Sequence, residues 1–73
     1  MTEANLIPVA KRYLKEQYGE DTRVMIVTRN GVTDGTGVLA VDCTVRAGGE
    51  TSDWSKRFTF TGGRITDMSA RRR

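Results

Sequence analysis

This 73-residue chain contains no histidine. That removes the commonest general base at neutral pH and the commonest zinc ligand. It contains one cysteine, Cys43, so an internal disulfide is excluded. Cys43 lies in an alternating apolar run and reads as a small buried hydrophobe. A reactive thiol would need a nearby base or cation. No apolar stretch approaches the ~20 residues that span a bilayer. The N-terminus lacks the basic segment and apolar core of a signal peptide. The expected location is the cytoplasm, or the lumen of whatever compartment makes the protein. No membrane, metal or cofactor is expected to take part.

What is present reads as one soluble domain over residues 1–73, with 37% hydrophobic and 29% charged residues. A chain this short has a modest core, so it is expected to be marginally stable or to gain help from an oligomer interface. The net charge is +3, from twelve basic and nine acidic residues. Arg71, Arg72 and Arg73 supply three of the twelve, which leaves a balanced body and a basic tail over 71–73.

Residues 6–18 predict an amphipathic helix, with Leu6, Val9, Ala10, Tyr13, Leu14 and Tyr18 at spacings of three and four. Asn5 is the preferred cap, because it places Pro8 in the first turn. Thr2 is the alternative, and would put Pro8 deeper and bend the helix. Gly19 ends the helix. Residues 23–29 predict a first strand, whose four consecutive apolar residues suggest partial cover on both faces. Asn30-Gly31 and Asp34-Gly35 then compete as turns in what reads as a long, irregular and mobile hairpin tip.

Residues 37–46 predict a second strand. Leu39, Val41, Cys43 and Val45 face one way; Ala40, Asp42, Thr44 and Arg46 face the other. A third strand spans 52–61, with Trp54, Phe58 and Phe60 on one face. Lys56 falls on that aromatic face by strict alternation. Either a bulge re-aims it or its stem snorkels to water. Gly62-Gly63 makes a tight turn into a last strand, 64–69, with Ile65 opposite Phe60. Met68 is out of phase with Ile65, which points to a bulge or an early strand end. The fold class that follows is α+β: one N-terminal helix packed on a four-stranded antiparallel β-meander.

No catalytic motif emerges. Gly35, Gly37 and Ala40 match the spacing of a dinucleotide-binding loop, but a strand follows where that motif needs a helix. Asp42, Asp53 and Asp67 are conceivable bases; Asp42 alternates onto the polar face and Asp53 adjoins a turn. Asp67 would oppose Phe58 by simple pairing, and a bulge explains that better than catalysis. The polar sheet face would carry Arg46, Arg57, Thr59, Thr61 and Arg64 as a partner surface, for another protein or for a second copy. Arg71, Arg72 and Arg73 could contact nucleic acid phosphates weakly and salt-dependently. The aromatics lie on the opposite face, so no base-stacking platform accompanies them.

The layout, and the ending Trp54, Phe58, Phe60, Gly62, Gly63, Arg64 and Ile65, resemble the cystatin-like superfold. That ending is similar to the last hairpin of SnoaL-like (nuclear-transport-factor-like) domains. The resemblance implies one helix on a curved antiparallel sheet. It also implies, as the third functional alternative, a reduced small-ligand pocket lined by Trp54 and Phe58. The acidic and histidine residues of the enzymes in that family have no counterpart here, nor does the inhibitory loop of cystatin. PepSY-type modules share the element order and length. The sequence thus reads as a non-enzymatic binding or assembly module, homodimeric or with a protein partner; the alternatives are nucleic-acid association and the ligand pocket.

Overall fold

The computed structural model describes residues 3–73. Helix α1 (Glu3–Tyr18) precedes strands β1 (Asp21–Asn30), β2 (Gly37–Ala47), β3 (Glu50–Thr61) and β4 (Arg64–Arg72). The strands form one antiparallel sheet in the order β1-β2-β3-β4. The expected α+β meander is the observed architecture.

Helix α1 starts at Glu3 rather than after an Asn5 cap, and Pro8 lies inside it. Pro8 has no N–H to give to the carbonyl of Ala4. Both residues are exposed, so water can take that carbonyl and the helix tolerates the loss. Thr2, the alternative cap, lies outside the described residues. One stripe of α1 is fully buried: Leu6, Ala10 and Leu14. It packs on Leu39, Val41, Cys43 and Val45 of β2 and on Phe58 and Phe60 of β3. Each large apolar side chain so buried contributes about 2 kcal/mol. At the other end Gly19 adopts φ 67° and its N–H donates to the Lys15 carbonyl, while Glu20 N–H donates to the Leu14 carbonyl. This left-handed cap stops the helix and sets Glu20 over the sheet.

Bulges decide which side chains reach the core. In β1, Arg23 and Thr28 are extra residues without partners in β2. Each flips the alternation, so Thr22, Met25 and Val27 face α1 while Val24, Ile26 and Arg29 face outward. The expectation that β1 is partly covered on both faces is therefore corrected, since no element among the described residues covers the outer one: Val24 is 49% and Ile26 60% exposed. In β4, Thr66 is the extra residue, between the Phe60–Ile65 and Thr59–Asp67 pairs. That bulge brings Met68 back in phase with Ile65 and places Asp67 opposite Thr59 instead of Phe58.

The 31–36 segment is ordered by hydrogen bonds, not an irregular tip. Asp34 and Gly35 both have positive φ, and Thr33 and Thr36 exchange backbone hydrogen bonds of 2.8 and 3.0 Å around them. That is the two-residue turn whose twist suits a hairpin. Asn30 instead accepts the Val32 N–H on its own side chain, so its signal becomes a local cap rather than the turn. The loop docks on the β3–β4 turn through Gly63 N–H to the Gly35 carbonyl, 2.9 Å.

Two consequences can be measured. Thr22 faces the core and its Oγ1 is buried without a partner among the described residues. Thr22→Val keeps the shape and removes the orphan hydroxyl, so it should raise stability by about 1 kcal/mol, read as a higher urea midpoint. An unchanged or lower midpoint would mean that the hydroxyl is hydrated. Cys43 is fully buried and free. Burial pushes its thiol up, although Lys56 nearby pulls the other way. Its folded pKa then lies above its unfolded one, so this contribution is intact below about pH 8.5 and is lost as pH rises beyond it. Thiol labelling of the native protein should follow global unfolding. Labelling as fast as in urea would contradict the burial.

Candidate functional site

The helix covers one face of the sheet and no element covers the other among the described residues. On that outer face the register sets side chains into rows. One row runs Arg29, Ala40, Arg57, Ser69 from β1 to β4, and the next runs Ile26, Asp42, Ser55, Arg71. Ala40, Ser55 and Ser69 are small, and arginines stand around them. The result is an open depression of about 530 Å³ lined by these residues together with Asp42, Arg57 and Arg71. Its polar groups are partly tied down. Asp42 accepts the Ser55 hydroxyl at 2.8 Å and approaches the Arg73 guanidinium at 3.8 Å. One row further, Asp53 accepts the Thr44 hydroxyl at 2.6 Å. Carboxylates held this way by hydroxyls and arginine read as structural. Arg29, Arg57 and Arg71 make no ion pair among the described residues.

The expected partner surface is brought to one face, but not to one place. Arg57, Thr59, Thr61 and Arg64 cluster at one end of the outer face; Thr61 and Arg64 are directly paired. Arg46 pairs with Thr51, whereas Arg57 pairs with Ala40. Six ladder positions separate Arg46 from Arg57 along β2, roughly 20 Å at strand spacing, so Arg46 does not join them. Arg29 was missed by strict alternation. Counted from Met25 and Val27 it would face the core, and the Thr28 bulge turns it out. Nothing in composition marks that bulge.

The basic tail over 71–73 is corrected too. Strand β4 continues to Arg72, and Arg73 N–H donates to the Asp53 carbonyl at 3.0 Å. Arginines paired into a sheet point alternately. Arg71 faces outward, Arg73 reaches back across β3 toward Asp42, and Arg72 lies on the helix side with its guanidinium 5.7 Å from the Trp54 ring. Their charge is split between two faces.

On the helix side, Lys56 is 2% exposed. Its ammonium pairs with the Glu20 carboxylate and sits 5.5 Å from the Trp54 ring and 5.9 Å from the Tyr18 ring. Neither a bulge nor simple snorkelling disposes of this lysine; the helix cap supplies its partner. A recess of about 230 Å³ adjoins it, lined by Tyr18, Glu20, Trp54, Lys56, Met68 and Ala70. Phe58 does not reach this recess and is fully buried in the solid core, edge-on to Tyr13. The cavity between Trp54 and Phe58 that a ligand pocket requires is filled. Among the described residues no cluster of acidic or cysteine side chains could hold a metal, and no helix is long and apolar enough to cross a membrane.

No known protein family, curated protein or solved structure matches the chain.

Proposed function

We propose that the protein is a non-enzymatic binding module that uses its outer sheet face to hold a protein partner. The observation that carries this reading is the uncovered face itself. Exposed Val24, Ile26 and Val38 lie beside a depression flanked by unpaired arginines. Apolar contacts bordered by charge suit a partner segment with an apolar anchor and carboxylates for Arg29 and Arg57. The divided charge of Arg71, Arg72 and Arg73 favours a protein over nucleic acid, because counterion release rewards cations gathered along one backbone.

Photo-cross-linkers at Ser55 and at Arg12 test the reading in cells. Discrete adducts from Ser55, lost in Ile26→Asp or Arg57→Glu and absent from Arg12, are expected. Equal adducts from both positions, or none, would overturn it. Labelled DNA and RNA oligonucleotides should show only weak binding that disappears at physiological salt. Binding that survives that salt and is lost in Arg57→Glu would replace the protein partner with nucleic acid.

A further inference from the structure

The sheet has two edges of different character. Strand β1 is interrupted by extra residues at Arg23 and Thr28, which disrupt an edge as a template for pairing. Strand β4 pairs without interruption from Asp67 to Arg72. Its free hydrogen-bonding groups can be placed. Arg73 N–H bonds to the Asp53 carbonyl, so residues Arg71, Ser69 and Asp67 also exchange bonds with β3. The alternate residues Met68, Ala70 and Arg72 therefore direct their backbone N–H and C=O away from β3, where no strand lies among the described residues.

From this edge we infer that two copies of the chain pair β4 to β4, antiparallel, with the two-fold axis at Ser69. The register is fixed by two requirements. Hydrogen-bonded pairs across the new seam must join outward-directed residues, and the pairing of Met68 with Ala70 of the second copy does so on both sides of the axis. Charges must also match. With Ser69 opposite itself, Asp67 of each copy lies opposite Arg71 of the other. These are non-hydrogen-bonded pairs, whose side chains approach most closely, with Cα atoms about 4.5 Å apart. Arg71 has no ion-pair partner within its own chain among the described residues, and Asp67 is exposed. A shift by two residues in one direction would set Asp67 against a second Ser69. In the other direction it would set Asp67 against Arg73, which already engages Asp42.

The inner face agrees. Met68 and Ala70 line the 230 Å³ recess beside Trp54 and Tyr18. In this register Met68 of the second copy stands next to Ala70 and enters that recess from the open side. An adaptable thioether is suited to filling such a gap. The seam merges two sheets into one; it engages Ser69 and Arg71 at the β4 rim of the outer depression and leaves Arg29 and Arg57 free for the partner proposed above.

Cross-linking and charge reversal test it on the full chain. Ser69→Cys should form an intermolecular disulfide under mild oxidation, whereas Thr61→Cys should not; buried Cys43 provides no background. Light scattering or sedimentation should give twice the monomer mass for the native chain. Asp67→Arg should weaken association at least tenfold, and Asp67→Arg/Arg71→Asp should restore it. The rescue separates a broken seam from a misfolded variant, and Trp54 fluorescence checks folding in each. A monomer at millimolar concentration would overturn the inference. So would a dimer indifferent to Asp67→Arg and unable to cross-link at Ser69.

Discussion

Glu20→Ala costs about 3 kcal/mol, although Glu20 lies near the surface at a helix end, and adding Lys56→Met returns much of that loss. The asymmetry comes from burial. The Lys56 side chain is 2% exposed and that of Glu20 15%. Remove Glu20 and an ammonium remains under the helix with only the faces of Trp54 and Tyr18 beside it. Remove Lys56 and the carboxylate can still turn toward water. Lys56→Met alone should therefore cost less, about 1–2 kcal/mol, and the double variant should be more stable than Glu20→Ala. Urea denaturation followed by Trp54 fluorescence measures all three, since the ammonium lies against that ring. Additive losses would mean that the two charges do not depend on each other. For a domain of this size a 3 kcal/mol loss takes much of the total stability.

Gly37→Ala is expected to be worse, with a loss of about 4 kcal/mol or more. Gly37 has φ 135°, a conformation that L side chains rarely adopt, and a methyl group there would lie 2.1 Å from the Gly31 carbonyl oxygen and 3.0 Å from Val32 Cα. Both neighbours are backbone, so relief requires the whole 31–36 loop to move. That loop is anchored to the β3–β4 turn by Gly63 N–H to the Gly35 carbonyl and Gly62 N–H to Thr36 Oγ1. The damage should spread to a second hairpin, visible as faster amide exchange at Gly62 and Gly63. Gly48→Ala is the control. Gly48 has φ 59° with nothing within 4 Å of an added methyl, so it should lose only about 1 kcal/mol. Equal losses at the two glycines would remove the clash as the cause.

The same residues show how far the sequence could be read. Alternation in 37–46, the aromatic run before Gly62-Gly63 and the spacing of Leu6, Ala10 and Leu14 were enough for element order and core, because each reports a local period. Lys56 was visible as a misfit, but its partner was not. Glu20 lies 36 positions away along the chain, and only the helix cap carries it there. Arg29 and the outward faces of Val24 and Ile26 were hidden by bulges, whose extra residues change every later facing without any compositional mark. The extent of β4 was masked because three arginines look like a solvated tail until the Asp53 carbonyl gives the last of them a partner. Asp34-Gly35 prevailed over Asn30-Gly31 because the Asn30 side chain was already engaged by Val32.

The meander also shapes how the chain is assembled. Among the described residues every strand bonds only to its neighbours in sequence, through the 31–36 segment and the turns at 48–49 and 62–63, so each pairing closes a short loop at small entropic cost. Helix α1 is different: it contacts both outermost strands, β1 and β4. During synthesis the sheet can zip hairpin by hairpin as residues emerge, but the first segment made has no complete bed until the last strand is in place. Until then Leu6, Ala10 and Leu14 can pack on β2 and β3 but lack the flank that Ile65 and Met68 supply, so the interval between finishing β3 and finishing β4 leaves the helix and the β3 edge open to aggregation.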